Sequence, residues 1–136
     1  MDAFDADVLI YAAAPDHPLG RRVRALLPSP TGRSTPPAGV GSMLLLPELL
    51  TKPVRHGFDD EKVALAAILS CLDLRPVDRF TAQVSVALGA KYGLRAADAI
   101  HLATAVVASA DRFVTNNHRD FTKDLAEVAV VYPDEL

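Results

Sequence analysis

The chain has 136 residues, of which 14 are Lys or Arg and 17 are Asp or Glu, for a net charge of −3. That length suits one domain over residues 1–136 with its own core, and the mild acidity excludes nucleic-acid binding through a global basic field, so such binding needs local patches. Cys71 is the only cysteine, which excludes a disulfide framework or a cysteine zinc site and leaves a buried structural thiol.

Half of the residues are hydrophobic, yet only 6% are aromatic and Trp is absent, so the core must be built from Ala, Leu and Val. The N-terminal stretch has two aspartates within five residues and no basic region, unlike a signal peptide. No apolar run approaches the roughly 18 residues of a membrane span. A cytoplasmic protein is the expectation.

In chain order, residues 4–10 read as a short buried strand that turns over at 5–7 into an apolar helical start, VLIYAAA. Apolar residues at helical spacing mark a helix over 19–27, with Arg21, Arg22 and Arg24 on its other face. Residues 28–42, PSPTGRSTPPAGVGS, read as a long loop. Residues 43–46 are a second apolar run, a strand or a helix entry, and Pro47 opens a helix over 48–54 that Pro53 limits. A helix over 59–72 has Asp59, Asp60 and Glu61 at its start, where the macrodipole favours them. A strand over 74–78 follows, then a helix over 81–92 stopped by Gly93. Residues 96–110 form the most apolar helix, and 112–115 and 127–132 are the last strands. Strands alternating with helices predict an α/β domain with a largely parallel sheet covered on both faces. Such sheets bind ligands at the carboxyl ends of their strands.

Four acids stand where apolar runs meet that edge: Asp5 in FDADVLI, Glu48 in LLLPELL, Asp98 in LRAADAIHLATA and Asp120 in FVTNNHRDF. Converging carboxylates repel one another unless a cation holds them, and oxygen-only donors select Mg2+ or Mn2+. Each acid also has a plainer reading. Either Asp5 or Asp7 can cap the helix that follows, and capping is the preferred reading of Asp7. Asp5, behind Phe4 in an apolar segment, reads as functional, because a buried charge needs a partner or a metal. Glu48 can be a first-turn residue facing water, and Asp98 is stabilised by the helix dipole in any case. His101, one turn beyond Asp98, can orient it or support the site from behind the acids, although a satisfied core or surface histidine is the preferred reading. Asp120 can bond nearby backbone, and Asn116 fits a turn. No Gly-rich phosphate loop, GxSxG elbow or His cluster is present.

Taken together, FDADVLIYAA, GSMLLLPELL, LRAADAIHLATA and FVTNNHRDF, in this order and over essentially the whole chain, resemble the PIN-domain family, most closely the toxins of VapBC toxin–antitoxin pairs. The resemblance implies a three-layer α/β/α sandwich with a central, mostly parallel sheet and a metal-dependent ribonuclease site. Asp5, Glu48 and Asp98 match the family's first three acids. Asn117 stands where many members carry an aspartate, which leaves Asp120 as the carboxylate of the last motif, and Thr115 matches a supporting hydroxyl. The resemblance also implies homodimers and a VapB-like antitoxin whose C-terminal tail covers the site. On this reading Asp5 and Asp98 hold Mg2+ (or Mn2+), Glu48 positions or deprotonates water, and Asp120 completes the acidic ring. Arg21, Arg22, Arg24, Arg33, Lys52 and Arg55 are candidates for holding RNA, with the 28–42 segment closing over it. Two alternatives stay open. One is a haloacid-dehalogenase-like phosphatase using Asp5 and Asp7, although Val8 and Leu9 replace the usual Gly-Thr. The other is a non-catalytic PIN-like binding module.

Overall fold

The computed structural model of the protein describes residues 1–28 and 36–136. Among them, five strands form an all-parallel sheet in the order β3-β2-β1-β4-β5. These are β1 (Asp2–Phe4), β2 (Gly39–Ser42), β3 (Leu72–Arg75), β4 (Arg112–Val114) and β5 (Ala129–Val131). The helices are α1 (Ala6–Ala13), α2 (Pro18–Arg24), α3 (Leu45–His56), α4 (Asp59–Ser70), α5 (Arg79–Tyr92) and α6 (Ala96–Val107), with a 3-10 turn at Pro133–Glu135.

Side chains alternate across a strand, and here that alternation builds two cores. Ala3 and Phe113 face α5 and α6, where they join Leu88, Leu102 and Phe121. Phe4 and Val114, the next residues along, face the other layer and pack with Val8, Val23, Leu45 and Leu65 of α1 to α4. The result is the expected three-layer sandwich, with α1–α4 on one face of the sheet and α5–α6 on the other. No helix among the described residues is long and apolar enough to cross a membrane. Cys71 is buried, as expected, and its thiol lies 3.4 Å from the Ala67 carbonyl.

The largest departure from the sequence reading is β2, which lies inside the segment expected to be loop. All four of its residues, Gly39–Ser42, are buried. They carry too little apolar bulk to show a strand pattern, yet the packing demands that smallness. A Cβ on Gly39 would stand 2.4 Å from the Asp2 carbonyl oxygen, and one on Gly41 would stand 2.6 Å from Leu45 Cδ1. Strand β3 starts earlier than expected because Leu72 to Arg75 pair with Gly39 to Ser42. Asp78, expected at its end, instead accepts the Thr81 N–H at 2.8 Å and caps α5. Helix α3 continues through Pro53 and stops at Gly57, whose φ of 69° is left-handed. Gly93 ends α5 in the same way, as its sequence position suggests. Residues 29–35 of the expected loop, Arg33 included, lie outside the described residues.

Helices α1 and α2 cross at a point fixed by Gly20. A Cβ there would lie 2.0 Å from the Tyr11 carbonyl oxygen, which is backbone and has no rotamer to escape through. Gly20→Ala is therefore expected to destabilise the protein by about 2 kcal/mol or more, the upper range of overpacking costs, as measured by urea unfolding. A change below about 0.5 kcal/mol would show that the two helices separate freely.

Candidate active site

The parallel register brings residues far apart in sequence to one point. Phe4 of β1 pairs with Val114 of β4. One residue further on, the Asp5 N–H donates to the Val114 carbonyl at 3.0 Å, and the Thr115 N–H donates to Val131 at 3.1 Å. Asp5 and Thr115 thus emerge side by side at the carboxyl edge, and the Thr115 hydroxyl donates to Asp5 Oδ2 at 2.8 Å. Asp5 Oδ1 accepts the Ala6 N–H at 2.9 Å, which makes Asp5 the N-cap of α1. Asp5 keeps 4% of its surface and Thr115 none.

The other acids reach the same edge from helix starts. Glu48 is in the first turn of α3, which follows β2, and Asp98 is in the first turn of α6. Asp98 has its pKa raised, first by burial and then by the negative charges of Asp5 and Asp120, with Glu48 adding and His101 opposing. Burial also raises the pKa of Asp5, against the attraction of His101 and the bonds from Thr115 and Ala6, and Glu48 raises it further. Asp98 is therefore close enough to Asp5, Asp120 and Glu48 to feel the charge of each. Asp120 is braced by Asn117: its Oδ2 accepts the Asn117 side-chain amide at 3.0 Å, and its N–H donates to Asn117 Oδ1 at 3.2 Å. Asn117 itself donates its backbone N–H to the Thr115 hydroxyl at 3.1 Å.

Two assignments differ from the sequence reading. The cap of α1 belongs to Asp5, whereas Asp7 lies within the first turn and accepts the Asn116 N–H through Oδ2 at 3.1 Å. Its Oδ1 is buried without a partner. Burial, then the charge of Asp5, push Asp7 up to about 7 against the N–H groups of Asn116 and Val8, with Asp98 adding. His101 is neither a satisfied core residue nor a partner of Asp98. Its Nε2 lies 2.9 Å from Glu48 Oε1, while Nδ1 is buried without a partner. Sequence spacing could not join residues 48 and 101. The available signal was chemical: a histidine inside an apolar helix and a glutamate between leucines both need partners.

The chemistry of the donors, though not yet their placement, suits a hard divalent cation. The set is all oxygen, it holds mutually repelling charges, and Asp7 Oδ1 is a buried acceptor with nothing to accept. Among the described residues, no group of three or more His, Cys, Asp or Glu side chains is placed to hold a metal ion by itself in the metal-free protein. An ion held here would take most of its ligands from water or phosphate oxygens, as Mg2+ commonly does. An apolar hollow of about 520 Å3 lies elsewhere, lined by Ala12, Arg24, Leu27, Ile68 and Cys71 among others, and contains none of the acids.

Two candidate cations are already committed to the fold. Arg24 donates to the carbonyls of Ala12, Ala14 and Pro15 at 2.7 to 3.1 Å, closing the C-terminal end of α1. Arg22 donates to the carbonyls of Asp134 and Leu136 at 3.0 and 2.9 Å. Arg21, Lys52 and Arg55 are exposed.

A protein-family model described as "PIN domain" matches residues 3–128 of the chain. A solved structure, "Toxin-antitoxin complex from Klebsiella pneumoniae", is similar with a TM-score of 0.77 at 24% sequence identity, covering 100% of this chain and 100% of that one. No curated protein matches the chain.

The raised pKa of Asp7 sets the sign of a pH effect. From the ordinary value of 3.8 up to about 7, the folded state binds more protons than the unfolded state, so stability falls as pH rises through that window. Asp5 and Asp98, also raised, act in the same direction. In chelator, the urea midpoint of the wild type is expected to fall between pH 5 and pH 8, and Asp7→Asn to fall less. Identical pH profiles for the two proteins would show that Asp7 is not buried as a charge.

Proposed function

The chain belongs to the PIN domain family, and from that premise we propose that it is a Mg2+- or Mn2+-dependent ribonuclease, the toxin of a VapBC-type toxin–antitoxin pair. The observation that carries this reading is the gathering of Asp5, Glu48 and Asp120 around Asp98 at the carboxyl edge of the sheet, each near enough to act on its charge. That concentration of charge is costly for a binding module and useful for phosphodiester hydrolysis.

Asp5 and Asp98 are the residues that would hold the ion. Asp5 is oriented for this by Thr115 and the Ala6 N–H. When bound, such an ion supplies positive charge that lowers the pKa of a nearby water and offsets charge building on phosphorus. Glu48 orients that water and takes its proton as the water oxygen bonds to phosphorus and the P–O bond to the departing strand breaks. Asp120, fixed by Asn117, completes the acidic ring. Arg21, Lys52 and Arg55 are left to hold the flanking phosphates. Few aromatic side chains are present for stacking on bases, which favours recognition of RNA shape. As a toxin the protein works as a homodimer and is silenced by an antitoxin tail laid over the acids. The similarity to a structure described as a toxin–antitoxin complex supports the antitoxin partner.

The test incubates purified, antitoxin-free wild type and Asp5→Asn with total RNA, with Mg2+, Mn2+ or chelator. Fragments are expected only from wild type with an ion. The substitution should lower the rate by at least about 100-fold, since loss of the ion's charge stabilisation costs several kcal/mol. Equal cleavage by both proteins would falsify the role of Asp5.

A further inference from the structure

We propose that His101 is a positioning residue for Glu48, holding one carboxylate oxygen so that the other is free for the attacking water. The inference rests on the nuclease reading for its consequence, though not for the pairing itself. His101 keeps 2% of its surface and sits among Leu102, Ala103 and Ala105 in the layer of α5 and α6. Glu48 belongs to α3, whose Leu45 and Leu49 are buried in the opposite layer. Helix α3 packs on α4 and α1, whereas α6 packs on α5 and β2. The 2.9 Å contact between His101 Nε2 and Glu48 Oε1 therefore bridges the two helical layers over the edge where the acids gather.

The chemistry of the ring fits this role. An ionised carboxylate only accepts, so Nε2 must carry the proton in the contact. A neutral ring then leaves Nδ1 as an unpaired acceptor, and a charged ring leaves it as an unpaired donor. Glu48 receives the same Nε2 proton in both cases, so the positioning is independent of the ring's charge. No other bond is made to the Glu48 carboxylate among the described residues, and its side chain keeps 30% of its surface. Oε1 is held and Oε2 is open. A glutamate on an exposed first turn otherwise has several rotamers, and fixing one of them is how a neighbour outside the reaction speeds it.

The test compares wild type, His101→Ala, His101→Gln, Glu48→Ala and the His101→Ala/Glu48→Ala double variant for RNA cleavage. Unfolding of each variant is measured alongside. His101→Ala should lower kcat about 10- to 100-fold with KM for RNA little changed, as loss of a supporting hydrogen bond typically does. His101→Gln, whose amide can still donate to Oε1, should recover most of that loss. The double variant should be no slower than Glu48→Ala alone, because His101 acts through Glu48. Losses that multiply in the double variant, or a folded His101→Gln as impaired as His101→Ala, would overturn the proposal. An arm independent of activity reads the Nε2-bound proton of His101 by NMR in the metal-free protein. Its downfield shift should disappear in Glu48→Ala, and persistence of that signal would overturn the pairing. A wild type that cleaves no RNA would sink the nuclease reading alone, leaving the NMR arm to decide the contact.

Discussion

Negative charge held in a dry place is the constraint around which this molecule is arranged. Asp5 is almost fully buried, and a carboxylate in that position is tolerable only with donors close at hand. The fold supplies two: the N–H that opens α1 and the hydroxyl of Thr115. Glu48 receives one, from His101. Asp120 receives one from the Asn117 amide. These donors take up some of the acids' oxygens, while Asp7 Oδ1 is left buried without a partner. An arrangement of this kind is stable enough to fold and still incomplete, and that incompleteness is what makes it a candidate for chemistry.

The sheet serves this constraint through register. Because β1 and β4 are parallel neighbours, the residues just beyond Phe4 and Val114 must lie beside each other. Because β2 is built from Gly39, Val40, Gly41 and Ser42, β1 and α3 can approach it closely enough to bring Glu48 to the same edge. The helical layers then differ in task. Helices α1 to α4 deliver Asp5 and Glu48 from one side of the sheet. Helix α6 delivers Asp98 and His101 from the other.

Much of this was legible before any coordinates. Apolar residues marked α2, α4 and α6, and Gly93 marked the end of α5, because these features depend on local sequence. The edge acids were legible because a carboxylate beside an apolar run is locally anomalous. What stayed hidden was set by distant packing. Strand β2 carries no apolar stripe, since its glycines are there to be small. The division of labour between Asp5 and Asp7 depends on where β1 stops, a boundary fixed by pairing with β4 rather than by the residues themselves. The contact between His101 and Glu48 joins helices in different layers, and the roles of Arg22 and Arg24 depend on carbonyls that only the folded chain presents.

The position of β1 also governs how the molecule comes into being. It precedes the other described strands in the sequence, yet it lies in the middle of the sheet, pairing with β2 through Gly39 and with β4 through Arg112. Until that second neighbour leaves the ribosome, one side of β1 is an unpaired edge and Asp5 has no Thr115 beside it. Long-range pairing of this sort is slow, and a half-made chain with a bare edge invites association with other chains. The edge where the acids gather is therefore assembled late. A chain that ends before β4 holds Asp5 without the hydroxyl that orients it.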